Sequence, residues 1–157
     1  MAEINIDDIE KYFEILPLYQ VEIGVISAHK DRKDEEGVTN AELMYIHENG
    51  SPLQNIPSRP VLKMSLKYAE ENLLSKAIDK SIKNYVDNNF DKISIETELN
   101  RLCMRIENFA REIIYSNDGR LVPNSPAVSA AKGGNHPLFD TGQLARSITC
   151  RLNIIEK

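Results

Sequence analysis

Two long stretches of helical periodicity fill the middle of this chain and constrain its fold more than any other feature. The first begins at Pro60 and carries apolar residues at three- and four-residue steps as far as Tyr85. The second begins at Ser94, a residue type that caps helices, and continues to Ile113. Each apolar stripe can bury one face of a helix. Because only a short polar turn separates the two stretches, they predict two long helices packed antiparallel.

Shorter periodic segments flank the helix pair. Alternation of apolar and polar residues predicts a strand over 20–27 and a second strand near the C-terminus. The apolar positions of the first strand are Val21, Ile23 and Val25, and those of the second are Ile148, Cys150, Leu152 and Ile154. Within an N-terminal segment of residues 1–19, helical spacing predicts a short amphipathic helix that ends at Pro17. Its apolar stripe consists of Ile6, Ile9, Phe13 and Leu16.

Length and composition indicate a single domain over residues 1–157. The chain is 41% hydrophobic and 27% charged, which suits one compact core. The net charge of −5 disfavours nonspecific nucleic-acid binding, and no apolar run is long enough to span a membrane. Cys103 and Cys150 lack metal-ligand spacing and are expected to be reduced core residues. The acidic N-terminus is unlike a secretory signal, so we expect a reducing cytoplasm.

Two segments are predicted to be mobile loops or assembly surfaces. Residues 28–38 carry charges of both signs without an apolar partner, so they have nothing to bury. Residues 116–137 form a long polar connection, of a length that is usually functional or disordered. Within it, Ser125 and Gly133 bracket one or two predicted helical turns.

Caps and prolines mark the region between the first strand and the helix pair. Thr39 and Glu42 have the spacing of a capping box, which predicts a short helix that stops at Gly50. Pro57 and Pro60 stiffen the connector that follows, because proline fixes its own φ. Pro60 also suits the first position of a helix, where its missing N–H costs nothing.

The triplet Asp140-Thr141-Gly142 matches that of aspartic proteases, in which two such carboxylates share a proton. The chain ends at residue 157, which leaves no room for the remaining strands of a protease lobe. The favoured interpretation is structural: Asp140 caps a short helix, and Gln143 completes an exchange like that of a capping box. An aspartic-protease-like dimer that uses Asp140 is one alternative function.

The remaining motifs do not predict an enzyme. His47-Glu48 begins the zinc-protease pattern, but position 51 is serine where a second histidine is needed. Lys132 and the glycines after it lack the order of a phosphate loop. His29 and His136 are expected to be solvated. We therefore expect no catalytic residue, cofactor or metal. A small nucleic-acid-binding regulator built on the helix pair is a second alternative function. The excess of acidic over basic residues counts against it.

The order of several landmarks resembles the neck and tail-completion proteins of tailed bacteriophages. The resemblance covers residues 21–152, from Gly24-Val25 in the first strand to Ser147-Ile148 before the last. The landmarks between them are segments 39–43, 46–52, 56–60, 123–126, 132–133 and 137–144. The chain departs from the family pattern at Ala130-Ala131, where relatives are more basic, and at Val61, where a larger apolar residue is common.

This resemblance implies an α+β fold, with an antiparallel β-sheet packed against a long helix pair and with extended loops. It implies a structural virion protein of the head–tail junction that forms a ring and completes the tail or joins it to the capsid connector. The implied partners are further copies of the chain, as a hexamer in the virion, and neighbouring neck, connector or tail-tube proteins. Neither a membrane nor sequence-specific nucleic acid is expected. Assembly would take place in the host cytoplasm.

Residues in these segments are candidates for structural or interface roles. They are Thr39, Glu42, Pro57, Arg59, Pro60, Lys132, Asp140, Thr141, Gly142 and Gln143. Arg59 stands out because prolines on either side, Pro57 and Pro60, restrict its backbone. We expect its guanidinium to contact a carboxylate, either within the fold or across the ring.

Overall fold

A computed structural model describes residues 6–26 and 37–155. These residues form seven α-helices and two strands. The helices are α1 (Ile6–Ile15), α2 (Asn40–Asn49), α3 (Val61–Asn72), α4 (Leu74–Asp87), α5 (Lys92–Ser116), α6 (Pro126–Lys132) and α7 (Gln143–Ser147). The strands β1 (Tyr19–Gly24) and β2 (Thr149–Ile154) form a two-stranded antiparallel sheet that packs against α4 and α5. The predicted α+β fold class is confirmed.

The contacts of the chain group it into two compact units. The first includes residues 6–22, 67–106 and 150–155, and the second includes 23–26, 37–66 and 107–149. The single domain expected from length and composition stays a prediction. Of the loop predicted over residues 28–38, only positions 37 and 38 lie within the described residues, and His29 lies outside them.

In the first unit, α4 and the first half of α5 form the predicted antiparallel pair. Asn84, near the end of α4, donates its side-chain N–H to Glu98 Oε1 at 2.9 Å. Farther from the turn, Leu73 and Arg105 line the same shallow groove. Buried residues of α5 form the apolar face, among them Ile95, Leu99, Leu102 and Cys103. Cys103 is buried as predicted, and Cys150 is half-buried.

The helix predicted from Pro60 to Tyr85 is interrupted at Leu73 and begins one residue later, at Val61. The interruption is small, because the Leu73 N–H still donates to the Ala69 carbonyl at 2.9 Å. The start predicted for the second long helix is also wrong. The helix begins at Lys92, and Asp91 Oδ1 accepts the Ile93 N–H at 3.1 Å, so Asp91 and not Ser94 satisfies an early amide.

The helix α1 begins at Ile6 as predicted, ends at Ile15, short of the predicted end at Pro17, and turns a different face toward the unit. Tyr12 is fully buried and Asp8 nearly so, whereas Ile6, Ile9 and Phe13 are exposed. Tyr12 accounts for the orientation: its hydroxyl hydrogen-bonds to the Ser81 hydroxyl and its ring packs against Tyr85 with centroids 5.9 Å apart. The apolar stripe in the sequence therefore marks the outward face of α1.

The core of the second unit lies between α2, α3, the second half of α5 and α7. Its fully buried side chains include Val61, Ala110, Ile114, Ala145 and Ile148. The segment 116–137 covers this core and is anchored to it. The His136 ring lies at 2.7 Å from the Ile114 carbonyl and stacks on Phe139 with centroids 4.5 Å apart. The expectation that His136 is solvated is therefore wrong.

Candidate binding groove

The helix α2 is capped at both ends as predicted. The Thr39 hydroxyl accepts the Glu42 N–H at 3.2 Å, and the Glu42 carboxylate accepts the Thr39 N–H at 2.8 Å. At the other end, Gly50 has φ of 77° and donates its N–H to the Ile46 carbonyl at 2.7 Å. A Cβ on Gly50 would lie 2.9 Å from the Ser58 nitrogen, so this glycine permits a close approach of two backbone segments.

After Gly50 the chain folds back along the end of α2. Ser51 and Ile56 form an antiparallel bridge around a short helical turn. The Ser58 hydroxyl donates to the Glu48 carbonyl at 2.8 Å, and the Arg59 N–H donates to the His47 carbonyl at 2.6 Å. These bonds satisfy carbonyls at the end of α2 that have no partner within the helix. The segment 56–60 is therefore fixed in place before α3 begins.

Glu48 links α2 to α3. The residue is 8% exposed, and its carboxylate accepts the backbone N–H groups of Leu62 at 3.0 Å and Lys63 at 2.8 Å. These amides belong to the first turn of α3, where helical N–H groups lack internal partners and a negative charge is favoured. Glu48 thus caps α3 from fourteen residues away, and no local sequence signal identifies it.

The side chain of Arg59 is 4% exposed and connects the end of α2 to the segment before α6. Its Nε donates to the Val122 carbonyl at 2.7 Å, and Nη2 donates to the Pro123 carbonyl at 2.9 Å. Nη1 lies 3.4 Å from His47 Nδ1. Within the described residues no carboxylate forms an ion pair with this guanidinium. The predicted carboxylate contact of Arg59, within the fold or across the ring, stays a prediction, and burial lowers the pKa of Arg59.

Asn135 and two predicted caps organise the segment from 117 to 135. The Asn135 side-chain oxygen accepts the Asn124 N–H at 2.8 Å, while its carbonyl accepts from the Asn117 side chain at 2.9 Å. The Ser125 hydroxyl accepts the Val128 N–H, and Gly133 ends α6 with φ of 69°. Both ends of the predicted helical turn are confirmed.

The segment 137–144 turns tightly before α7. Leu138 is buried and has φ of 60°, and Gly142 has φ of 75° and occupies the N-cap position of α7. The predicted cap by Asp140 is wrong, because α7 begins at Gln143 and Gly142 offers no side chain to its amides. Asp140 and Thr141 are exposed. The Lys132 ammonium donates to the Phe139 carbonyl at 3.2 Å and ties α6 to this turn.

Arg111 secures the far side of the same turn. Its Nη2 donates to the Ile148 carbonyl at 2.9 Å, its Nε donates to the Ala145 carbonyl at 3.3 Å, and Nη1 pairs with Glu107 at 2.8 Å. The carbonyls at the end of α7 are thereby satisfied. The sequence alone does not indicate that Arg111 binds these carbonyls, because a single arginine on a helix has no distinguishing pattern.

Segments 56–60 and 137–144 and the helix α6 surround one groove of about 590 Å³, which we call the landmark groove. Most of the candidate residues lie on it: Pro57, Arg59, Lys132, Asp140, Thr141, Gly142 and Gln143. Thr39, Glu42 and Pro60 are not among its lining residues. Its volume is within the range of pockets that bind ligands.

Two asparagines that the sequence did not single out also line the landmark groove. Asn40 is 3% exposed, and its Oδ1 has no hydrogen-bond partner among the described residues. Asn124 has a buried Nδ2 that finds no partner in the described part of the chain, although its Oδ1 lies 3.5 Å from Arg59 Nη2. Buried polar atoms are nearly always hydrogen-bonded, so an orphan acceptor and an orphan donor in one groove indicate a surface built to contact something else.

Comparison with known proteins adds no relative. No protein-family model matches the chain, and no curated protein or solved structure matches it significantly. Within residues 6–26 and 37–155, no helix is both long and apolar enough to cross a membrane. In the same ranges no three histidine, cysteine or acidic side chains are grouped so that they could hold a metal ion.

Proposed function

We propose that the chain is a structural virion protein of the bacteriophage head–tail junction, which forms a ring and completes the tail or joins it to the capsid connector. The order and spacing of its landmark segments over residues 21–152 support this proposal. Its partners would be further copies of the chain and the neighbouring neck, connector or tail-tube proteins.

The observation that carries the proposal is the convergence of segments 56–60 and 137–144, eighty residues apart in sequence, on one groove. Partly buried hydrogen bonds hold both segments: Arg59 supports the first, and Arg111 supports the turn after the second. A rigid concave surface of this kind suits a subunit whose neighbours must dock at a fixed angle, as ring closure requires.

Inactivation of the gene in its phage tests the proposal. A neck or tail-completion protein is required for joining, so lysates should contain filled heads and separate tails or tails of abnormal length, visible by negative-stain electron microscopy. Wild-type protein supplied from a plasmid should restore joined virions. Normal virions at normal titre in the absence of the protein would contradict the proposal.

A further inference from the structure

The landmark groove contains polar atoms without hydrogen-bond partners among the described residues, and their types indicate what a ligand must offer. Asn40 Oδ1 is a buried acceptor in need of a donor, and Asn124 Nδ2 is a buried donor in need of an acceptor. A peptide main chain presents one N–H and one C=O on every residue. An extended peptide in the groove therefore carries both kinds of group that the two asparagines lack, the groups that are used when a peptide backbone is recognised.

The charges of the groove specify the side chain of that peptide. Arg59 is buried, and among the described residues no carboxylate pairs with it; Lys132 brings a second cation to the same groove. Asp140 is the carboxylate among the lining residues. A buried guanidinium is stabilised by an opposite charge with matching geometry, which a carboxylate supplies. Leu43, Val128 and Leu144 add apolar contact area beside these charges.

We infer that the landmark groove binds an extended peptide segment with an acidic side chain, donated by a neighbouring copy of this chain. A ring of identical subunits needs a receiving site on one flank and a matching segment on the other. The chain has 24 acidic and 19 basic residues, so its own surface supplies carboxylates for a cationic groove. The choice of a second copy as donor rests on the proposed function, whereas the peptide chemistry rests on the groove.

Overlapping twelve-residue peptides that span the chain's own sequence are suitable probes. Each would be titrated into the isotope-labelled full chain while the backbone amide shifts are followed by NMR. We expect at least one acidic peptide to shift the amides of Asn40, Asn124 and Gly142. The same peptide with its carboxylates changed to amides should bind at least about tenfold more weakly.

Replacing Asn40 with leucine separates a binding role from a structural one. Leucine has a similar size and removes the orphan acceptor, so Asn40→Leu should raise the melting temperature of the free protein and weaken peptide binding about tenfold. A structural role predicts a lower melting temperature instead. Asn108→Leu, at an exposed site on α5 outside the groove, is the control and should leave binding unchanged.

Charge changes at the rim supply a second test with opposite signs. Lys132→Gln should weaken binding of the acidic peptide, and Asp140→Asn should strengthen it, because each alters the net charge of the groove in the stated direction. Three results would overturn the inference. Lys132→Gln could strengthen binding while Asp140→Asn weakens it, the neutralised peptide could bind as tightly as the acidic one, or no peptide from the chain could shift any backbone amide at millimolar concentration. The inference would also be overturned if single-stranded DNA shifted the amide signals of Asn40, Asn124 and Gly142 and no peptide did.

The outcomes distinguish this inference from the proposed function. Rings that assemble without any peptide contact in the groove would leave the function standing and remove the inference. Peptide binding with the predicted charge dependence, in a protein that virions do not need, would leave the groove chemistry standing and remove the function.

Discussion

Glu48 and Lys63 form a hydrogen bond of 2.8 Å between the carboxylate of the first and the backbone N–H of the second. A second bond, from the Leu62 N–H at 3.0 Å, completes a cap that α2 provides for α3. Pro60 precedes this helix and supplies no N–H of its own. The end of α2 and the start of α3 are therefore fixed relative to each other by one buried carboxylate.

Loss of this carboxylate should destabilise the protein. Glu48→Ala leaves two amides without partners and is expected to cost about 2 kcal/mol, in the range of strong helix caps and charge-assisted bonds. Glu48→Gln keeps an acceptor and should cost about half as much. Urea unfolding provides the measurement, with the exposed Glu70→Gln in α3 as the matched control. Equal stability of Glu48→Ala and the wild type would contradict the capping role.

Arg59 should resist conservative replacement. Lysine lacks the planar fork that reaches the carbonyls of Val122 and Pro123 together. We expect Arg59→Lys to lose about 1–2 kcal/mol and Arg59→Ala about 2–3 kcal/mol of unfolding free energy, the range for hydrogen bonds to charged groups. Arg105→Lys, at an exposed site on α5, serves as the control for the chemical change. A stable Arg59→Ala variant would show that segment 122–124 is held by other contacts.

Gly142 should not tolerate a side chain. Its φ is 75°, and an added Cβ would lie 3.0 Å from Arg146 Nη1 and 3.3 Å from Phe139 Cε2. The left-handed backbone alone costs a non-glycine residue about 1–2 kcal/mol. Gly142→Ala should therefore lower the melting temperature, whereas Gly134→Ala, where a Cβ meets nothing within 4 Å, should not. Comparable melting temperatures for the two variants would exclude strain at this turn.

Asp118 should give the protein a pH-dependent contribution to stability. Hydrogen bonds from Arg120 lower the pKa of Asp118 to about 2 from the ordinary 3.8. A depressed folded-state pKa contributes stability that is present above the unfolded pKa and lost as pH falls through the folded value. The difference in melting temperature between the wild type and Asp118→Asn should be constant above about pH 4 and vanish near pH 2. A difference that does not change across this window would contradict the assignment.

Asp140→Asn distinguishes the structural proposal from the aspartic-protease alternative. Asp140 is exposed and does not cap α7, so its replacement should leave the melting temperature unchanged. A protease that depended on this carboxylate would lose turnover on an unfolded protein substrate. Proteolysis by the wild type that disappears in Asp140→Asn would favour the alternative.

The sequence predicted those features whose signals lie within a few residues. The capping box of Thr39 and Glu42, the bounds of α6, and the alternation in β2 are examples. Signals of this kind describe backbone amides and the groups beside them, and they need no tertiary contact. The helix pair was also predicted, because its apolar stripes recur at three- and four-residue steps over many turns.

The features that the sequence missed depend on residues far apart. Arg59 reaches Val122 across 63 positions, and the caps from Glu48 to Leu62 cross fourteen. In α1 the stripe of Ile6, Ile9 and Phe13 is periodic but lies outward, because Tyr12 finds a hydroxyl partner in Ser81. Asn40 and Asn124 lie in segments 39–43 and 123–126 of the resemblance, but no pattern there marks their side chains. Their importance comes from burial without a partner, which only the structure shows.

The mass of the assembled protein in solution tests the central claim most directly. If the proposed function holds, native mass spectrometry of the full chain, alone and with connector and tail-tube proteins encoded by neighbouring genes, should give a closed ring at an integral multiple of 17.8 kDa, with six copies expected. The Lys132→Gln variant should form this ring less readily. A monomer of 17.8 kDa at every concentration and with every partner would contradict the account.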